Sequence, residues 1–473
     1  MVTAAGRAAG PAEGNEAGRP GRRAVVIGGS IAGLLAARVL ADHCAHVTVL
    51  ERDRLPEGAE HRPGVPHSRH THVLLAGGQR ALEELLPGVV TELRQAGAPR
   101  VGMPRDMVQW QAGSWYRRTA PTAHLLTPSR PLLEHMVRLR VLSDPRIEVV
   151  QGAEAVGLAG DAARITGVVV RERGGAPAAG RVREADLVVD ASGRGSKAAG
   201  WLAGVGAEPP LEERLDTGLA YTTRLYRARP LGSADCLGYY VVPGPGQVYG
   251  AVVLPVEGDR ILVTLSGLRG GEPPTDGEGF TRFAGRLPHP FVHDWLAGAE
   301  PLSPPHGFRR TADVRRRFEA PGRRPAGFLV TGDALCTVNP IYGQGMTVAA
   351  LNALALRDAL ADRHRTPTTR RVQRALLRAA QQAWDISAGA DKKMPGAMGS
   401  AAAIRAVDRP ANWYLERVDR RAGGDPVVGA AFRSALSLSA PLTALFAPRV
   451  LRAVLLGPDP AGPADPPWQH EPE

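Results

Sequence analysis

The chain has 473 residues, of which 44% are hydrophobic and 22% charged, a composition that supports two or more buried cores and excludes a wholly disordered protein. Its net charge of +11 reflects 58 basic residues, yet only Lys197, Lys392 and Lys393 are lysines and the arginines are dispersed; with no RNA-binding signature, zinc-finger spacing or concentrated basic helix, nucleic acid is not an expected partner. Cys44, Cys236 and Cys336 are too few and too widely spaced for a metal centre or a disulfide framework, and no apolar run approaches the roughly 20 residues that cross a bilayer, so a cytoplasmic location is expected.

Residues 1–22 are rich in Gly, Ala, Pro and Glu, lack the architecture of a secretory signal, and read as a disordered tail. From Arg23 an apolar strand runs into a glycine turn that opens a helix, Arg23-Ala-Val-Val-Ile-Gly-Gly-Ser-Ile-Ala-Gly-Leu-Leu-Ala-Ala-Arg38. Gly28 permits the sharp turn, Ser30 is small enough for a pyrophosphate to approach the backbone, and Gly33 lets the helix pack closely on the strand. The helix N-terminus then faces the phosphates with free N–H groups and a positive dipole end. His46-Val-Thr-Val-Leu-Glu51 reads as the second strand, and Glu51 closes it about 20 residues after Gly28, where an acid binds a ribose hydroxyl and repels a 2′-phosphate. The cradle is therefore expected to hold the adenosine half of FAD or NAD, not NADP.

A Pro-, Gly- and Arg-rich loop over 55–66 leads into the cluster His67-Ser-Arg-His-Thr-His72, and a helix is expected over 78–86 from the apolar face of Leu82, Leu85 and Leu86. Met107–Gln111 and Ser114–Arg117 read as a hairpin around Ala112-Gly113, and Ser129 as the N-cap of a helix beginning near Pro131 with Glu134 in its first turn. Three strands are expected over 147–156, 164–173 and 181–190. The segment 219–266 alternates as a separate sheet, and short helices over 279–287 and 290–297 close over it. The chain returns to the first domain through Gly327-Phe-Leu-Val-Thr-Gly-Asp333. Beyond Gly345 it is helical, apart from a break at Pro395-Gly396 and a Pro-rich tail after Gly457.

Two further segments have the chemistry of a nucleotide site. Asp186-Leu-Val-Val-Asp-Ala-Ser-Gly-Arg-Gly-Ser196 sets an aspartate and a glycine turn at the end of an apolar strand, and such a turn exposes N–H groups to a polar ligand. Val330-Thr-Gly-Asp-Ala-Leu-Cys-Thr-Val-Asn-Pro-Ile-Tyr-Gly-Gln-Gly-Met346 sets Asp333 at a strand end before a glycine-rich loop that starts another helix, a geometry suited to a ribityl chain and a flavin edge. Gly343 and Gly345 would let the backbone approach the ring, and the helix N-terminus would stabilise negative charge on a reduced flavin. NAD needs no such third segment, whereas FAD does.

Taken in this order, the three segments resemble the FAD-dependent monooxygenases of the aromatic-hydroxylase type (group A), over nearly the whole chain after the tail. Gly64-Val-Pro-His-Ser-Arg-His-Thr-His72, Asp190-Ala-Ser-Gly-Arg-Gly-Ser196, Gly271-Glu-Pro-Pro-Thr-Asp276 and Asn339-Pro-Ile-Tyr-Gly-Gln-Gly-Met346 are similar to bacterial epoxidases of polyene precursors of polyether polyketides and to their terpenoid-pathway relatives. The resemblance implies an α/β fold: a Rossmann-like FAD-binding domain of the GR2 type in three parts (23–105, 125–205, 306–365), with a hairpin over 106–124 and a sheet over 206–305 forming an inserted substrate domain. A helical region over 366–457 and a tail over 458–473 follow. It further implies that Gly28, Ser30, Gly33 and Glu51 hold the ADP half of non-covalent FAD, that Arg69 and Arg130 contact its polar chain, and that Asp333 meets the ribityl hydroxyls. Pro340, Gly343, Gly345 and Met346 would face the ring. Ser30 replaces the usual middle glycine, and Cys336 stands where many aromatic hydroxylases carry histidine.

The activity so implied uses NADH or NADPH as a transient reductant and O2, through a flavin hydroperoxide, to epoxidise a large apolar alkene. No catalytic base is required, and Tyr221 and Arg224 on the substrate sheet are the pocket candidates. The rival activity is hydroxylation of an aromatic polyketide. A reductase or halogenase shares the fold, but no tryptophan stands in the Trp-x-Trp-x-Ile-Pro segment expected of a halogenase; a flavin-binding protein without activity is the non-enzymatic alternative. His67, His70 and His72 have poor spacing for a tetrahedral metal site, so no metal is expected. The apolar stretch 435–456, interrupted by Pro441 and Pro448, reads as a helical lid in preference to a membrane-docking segment.

Overall fold

The first strand, Arg23–Ile27, is buried along its length after Arg23, as a central strand of a parallel sheet must be. Five strands build that sheet in the order Phe328–Val330, Leu187–Asp190, Arg23–Ile27, His46–Glu51 and Ile147–Gln151, with every neighbouring pair parallel. The helix Ile31–Leu40 packs against it and against the helices Arg130–Leu142 and Gly345–Ala361. Gly28 takes a φ of +104°, which side chains rarely tolerate, and its amide donates to the Leu50 carbonyl at 2.8 Å. A Cβ on Gly33 would lie 1.8 Å from the Gly28 carbonyl oxygen, so only glycine permits the helix to sit this close to the turn. The computed structural model describes residues 21–172, 180–320, 322, 324–404, 406–458 and 462–471; the tail expected over 1–22 lies almost wholly outside them.

A seven-stranded sheet stands apart from the parallel one, in the order His306–Phe308, Ala220–Arg227, Arg260–Gly267, Gly250–Val256, Gly238–Val241, Met107–Gln111 and Ser114–Trp115. Its last two strands are the expected hairpin, turned by Ala112 and Gly113 at φ +52° and +88°. The sheet extends past the expected limit at 305, because His306–Phe308 pairs with Tyr221–Thr223. The short helices Gly277–Phe283 and Phe291–Ala297 cover one face through Phe280, Phe283 and Trp295, and the Asp276 side chain caps the first by accepting from the Gly279 amide at 2.7 Å. The C-terminal segment also packs here, with the Trp468 ring 4.3 Å from that of Phe291.

Two expected strands each prove to be two. Residues 147–156 divide at Gly152, φ +68°, into Ile147–Gln151 of the parallel sheet and Ala153–Gly160 of a three-stranded antiparallel sheet with Ile165–Glu172 and Arg181–Glu184. Residues 181–190 divide where exposed Arg181–Glu184 gives way to the buried Leu187–Asp190. A second three-stranded sheet, Glu212–Leu215, Asp313–Arg316 and Cys336–Thr337, has no alternating pattern long enough to mark it in the sequence. The helix expected over 78–86 is Ala76–Leu85, and Ser129 caps Arg130–Leu142 as expected, accepting from the Leu132 amide.

The helices Gly345–Ala361 and Thr369–Asp391 pack together, and Arg409–Arg421, Pro426–Leu436 and Pro448–Leu456 follow. Within the 435–456 stretch, Ala435, Leu445, Val450 and Val454 are buried against Tyr116, Tyr414 and Val418 in a small helical core. Among the described residues no helix is long and apolar enough to cross a membrane.

The close approach at Gly33 gives a direct test. Gly33→Ala should lower stability by about 2–3 kcal/mol, because the atom in the way is backbone and the cradle itself must move. Thermal unfolding reads this loss; a variant that melts with the wild type would show that helix and turn are not in such contact.

Candidate active site

The carboxyl ends of the parallel strands open into a cleft of about 410 Å³, the place where parallel α/β sheets bind ligands. Gly28, Ser30, Glu51, Arg62 and Arg130 line one end; Asp333, Pro340, Gly343, Gly345 and Met346 line the other, where Tyr221 and Phe308 of the seven-stranded sheet face them. The turn Ala191–Gly195 after the Leu187–Asp190 strand lies between. Three segments far apart in sequence thus meet because their strands are neighbours in one sheet.

The cradle end is built on a buried ionic network. Arg130 Nη2 donates to Ser30 Oγ at 2.7 Å and lies 2.8 Å from Glu134 Oε2, and Ser30 Oγ donates to the same carboxylate oxygen at 2.8 Å. Arg62 Nε donates to Glu134 Oε1 at 2.7 Å, and its Nη1 reaches Asp53 at 3.0 Å and Glu51 at 3.1 Å. Glu51 also accepts from the amides of Gly29 and Asp53, both at 2.9 Å, and so fixes the glycine turn. Burial would raise the Glu134 pKa, but Arg130 and Arg62 outweigh it and hold the carboxyl below its ordinary value. Two buried guanidinium nitrogens, Arg62 Nη2 and Arg130 Nη1, have no protein acceptor, and both side chains line the cleft. Such donors suit the oxygens of a diphosphate or ribose.

At the other end the Gly345–Ala361 helix begins on the cleft, and a Cβ on Gly345 would meet nothing nearer than Asp333 Oδ1 at 4.0 Å, so the backbone is open to a ligand plane. Gly343 turns the preceding loop at φ +66°. Burial raises the Asp333 pKa, opposed by Arg194 and Arg130. The Tyr221 and Phe308 rings stack at 5.3 Å, and the His70 ring meets Tyr221 edge-on at 4.8 Å with its Nδ1 2.8 Å from Thr223 Oγ1. Burial pushes the histidines down, to about 3 for His70 and about 4 for His72, with His67 also well below its ordinary value. The cluster is therefore uncharged at neutral pH. Among the described residues no group of His, Cys, Asp or Glu side chains is disposed to hold a metal ion.

Two expected contacts are displaced. Arg69 is exposed and does not line the cleft; it is the last residue of the short 3-10 turn Pro66–Arg69, and Arg62 occupies the buried position instead. Arg224 lies on the face of its strand opposite to Tyr221, as an odd separation requires, with Nε donating to the Ser303 carbonyl at 2.9 Å. Gly33 sits beneath the cradle and is not in the cleft wall. Arg62, Glu134, Arg194 and Phe308 are the unforeseen members. The i,i+4 pair Arg130–Glu134 could have been found from helical spacing, whereas nothing local marks Arg62.

Residues 24–235 match the family of FAD dependent oxidoreductases. Protein Rv3254 of Mycobacterium tuberculosis is 32% identical over 437 residues, covering 89% of this chain and 90% of that protein. The chain belongs to the FAD-dependent oxidoreductases. Among solved structures, the probable FAD-dependent monooxygenase PqsL of Pseudomonas aeruginosa is similar with a TM-score of 0.59 at 19% identity, over 78% of this chain and 93% of that one. The flavin-dependent halogenase CmlS is similar with a TM-score of 0.62 at 18% identity, over 87% and 74%. These neighbours share the fold. The protein is an enzyme with FAD as its cofactor, and the cleft fits it: unpartnered guanidinium donors at the cradle and an open glycine backbone at the loop.

Two outcomes follow. Arg130→Met should weaken FAD retention by about tenfold or more, since hydrogen bonds from a charged group are worth roughly 1.5–3 kcal/mol; flavin fluorescence on dilution measures it, and unchanged affinity would remove Arg130 from the site. The second concerns pH. The folded-state pKa values of His70 and His72 lie below the unfolded value of about 6.5, so their contribution to stability is present above that pH and is lost as pH falls toward about 4 and then about 3. Denaturant unfolding between pH 7 and 4 should show this loss, and His72→Gln should flatten it.

Proposed function

We propose that the protein is a monooxygenase that uses NADH or NADPH and O2 to epoxidise one or more alkenes of a large apolar polyketide or terpenoid in secondary metabolism. The overall change is alkene + O2 + NAD(P)H + H⁺ → epoxide + H2O + NAD(P)⁺. Bound FAD supplies the electron transfer and oxygen activation. Gly28, Ser30, Glu51, Arg62 and Arg130 would hold its ADP half, Asp333 its ribityl chain, and Pro340, Gly343, Gly345 and Met346 its ring edge. With one nucleotide cradle in the sequence, the nicotinamide binds transiently.

The observation that carries the choice of substrate is the wall opposite the flavin loop. Tyr221 and Phe308 present a stacked aromatic surface on which an apolar chain can lie with water excluded. Burial raises the Tyr221 phenol well above its ordinary value and lowers the neighbouring histidines, so the wall offers neither a phenolate nor an imidazole basic enough to take a phenol proton near pH 7. Epoxidation needs no such base, because the alkene itself attacks the electrophilic oxygen. Aromatic hydroxylation profits from one, and Cys336 stands in place of the histidine common in that class.

Turnover with NAD(P)H under ¹⁸O2 tests the reading. A polyene should gain one labelled atom per converted double bond, as an epoxide or its diol, and simple phenols should react weakly. Rapid ortho-hydroxylation of an aromatic polyketide with polyenes untouched would overturn it in favour of the hydroxylase.

A further inference from the structure

The loop that carries Pro340 and Gly343 is held from behind by two carboxyl groups on different elements, Asp313 at the start of the Asp313–Arg316 strand and Asp391 at the end of the Thr369–Asp391 helix. Both are buried. Asp313 Oδ1 accepts from the Asn339 amide and the Ser387 hydroxyl, each at 2.7 Å. Asp391 accepts on both oxygens, Oδ2 from Asn339 Nδ2 at 2.8 Å and Oδ1 from the Tyr342 hydroxyl at 2.7 Å. Asp313 Oδ2 receives no donor. Both carboxyls bond the same residue, Asp313 the Asn339 amide and Asp391 the Asn339 side chain, so they lie close together out of water, where the ionisation of one opposes that of the other. Asp391 already uses both oxygens as acceptors, so a hydroxyl at Asp313 Oδ2, donating to Asp391, satisfies every atom of the pair.

We propose that Asp313 and Asp391 share one proton, carried on Asp313, and that this proton fixes the Asn339–Gly343 turn and so positions the flavin loop; the positioning clause rests on the assignment of that loop to FAD. Burial first, and then the Asp391 carboxylate, raise the Asp313 carboxyl well above the ordinary range. Among the described residues, the Arg194 guanidinium, the Cys336 thiol and the Tyr342 phenol also interact with the pair. Arg194 favours the ionised form, but its Nη1 is engaged with the Ala312 carbonyl at 2.6 Å. Because the folded-state pKa of Asp313 is raised, the stabilisation is complete below the ordinary carboxyl value of about 4 and is lost as pH rises through the folded value.

The test uses the full-length holoenzyme between about pH 5 and pH 9, with thermal unfolding and the FAD dissociation constant as readouts. Asp313→Asn keeps Oδ1 as acceptor and places an amide donor opposite Asp391 at every pH. It should match wild-type FAD affinity within about threefold at pH 5 and lose the alkaline decline in both readouts. Asp391→Asn instead sets a donor against Asn339 or Tyr342, and should weaken FAD binding about tenfold or more across the range. Equal pH slopes in wild type and Asp313→Asn, or equal tolerance of both substitutions, would overturn the shared proton. Unfolding that follows the expectation while FAD affinity stays the same in all three proteins would overturn the positioning role, with the monooxygenase assignment still judged by its own oxygen-labelling experiment.

Discussion

Two arginines and three carboxylates packed out of water hold the glycine-turn end of the cleft together. Glu134 is bridged by Arg62 and Arg130 and bonded by Ser30, while Arg62 also reaches Glu51 and Asp53. Desolvating such charges is costly, and removing one partner from a buried pair typically costs about 3–5 kcal/mol because the other is left uncompensated. The network therefore constrains four elements at once: the glycine turn, the end of the second strand, the loop that follows it and the first turn of the Arg130–Leu142 helix. It does not offer a ligand a surplus of positive charge, since the carboxylates outnumber the guanidinium groups. What it offers is direction, in the form of donors held at fixed positions beside a helix N-terminus.

The Asn339–Met346 loop is constrained from two sides in a different manner. The Tyr240 hydroxyl, from the seven-stranded sheet, donates to the Ile341 carbonyl at 3.2 Å, and Asp391 grips Asn339 and Tyr342 from the helical side. The seven-stranded sheet thus touches the loop directly, and its period of two decides which side chains enter the cleft. Tyr221 and Thr223 face inward with His70 on them, while Arg224 and Tyr226 face the covering helices. This wall of the cleft is made by rings stacked on one another and by histidines kept neutral by burial.

Much of this was legible where the determinant is local. A strand running into Gly28-Gly29-Ser30, the Ser129 cap and the Ala112-Gly113 hairpin each depend on a few adjacent residues, and each forms as expected. The divided strands were hidden because each break is only one or two residues long between two β-forming runs, and the change of sheet is decided by distant pairing partners. Arg69 and Arg62 are seven residues apart in one irregular loop, and only the position of Glu134 in the folded chain selects Arg62. The Asp313–Asp391 pair lies further still from sequence reasoning, since nothing near either residue indicates that a small three-stranded sheet will bring them together behind the loop.

The unmade hydrogen bonds at the cradle connect stability to function. Arg62 Nη2 and Arg130 Nη1 are buried without acceptors, and each such donor costs about 1–3 kcal/mol of folding free energy. Elsewhere in a core a sequence would lose that cost by exchanging the arginine for an apolar side chain, but here both arginines also line the cleft and belong to a network that cannot be loosened one member at a time. A ligand bearing oxygens at those positions offsets the penalty, and one that binds only the folded state stabilises it further by mass action. Were FAD to take these donors, cofactor affinity and fold stability would be two measures of a single arrangement.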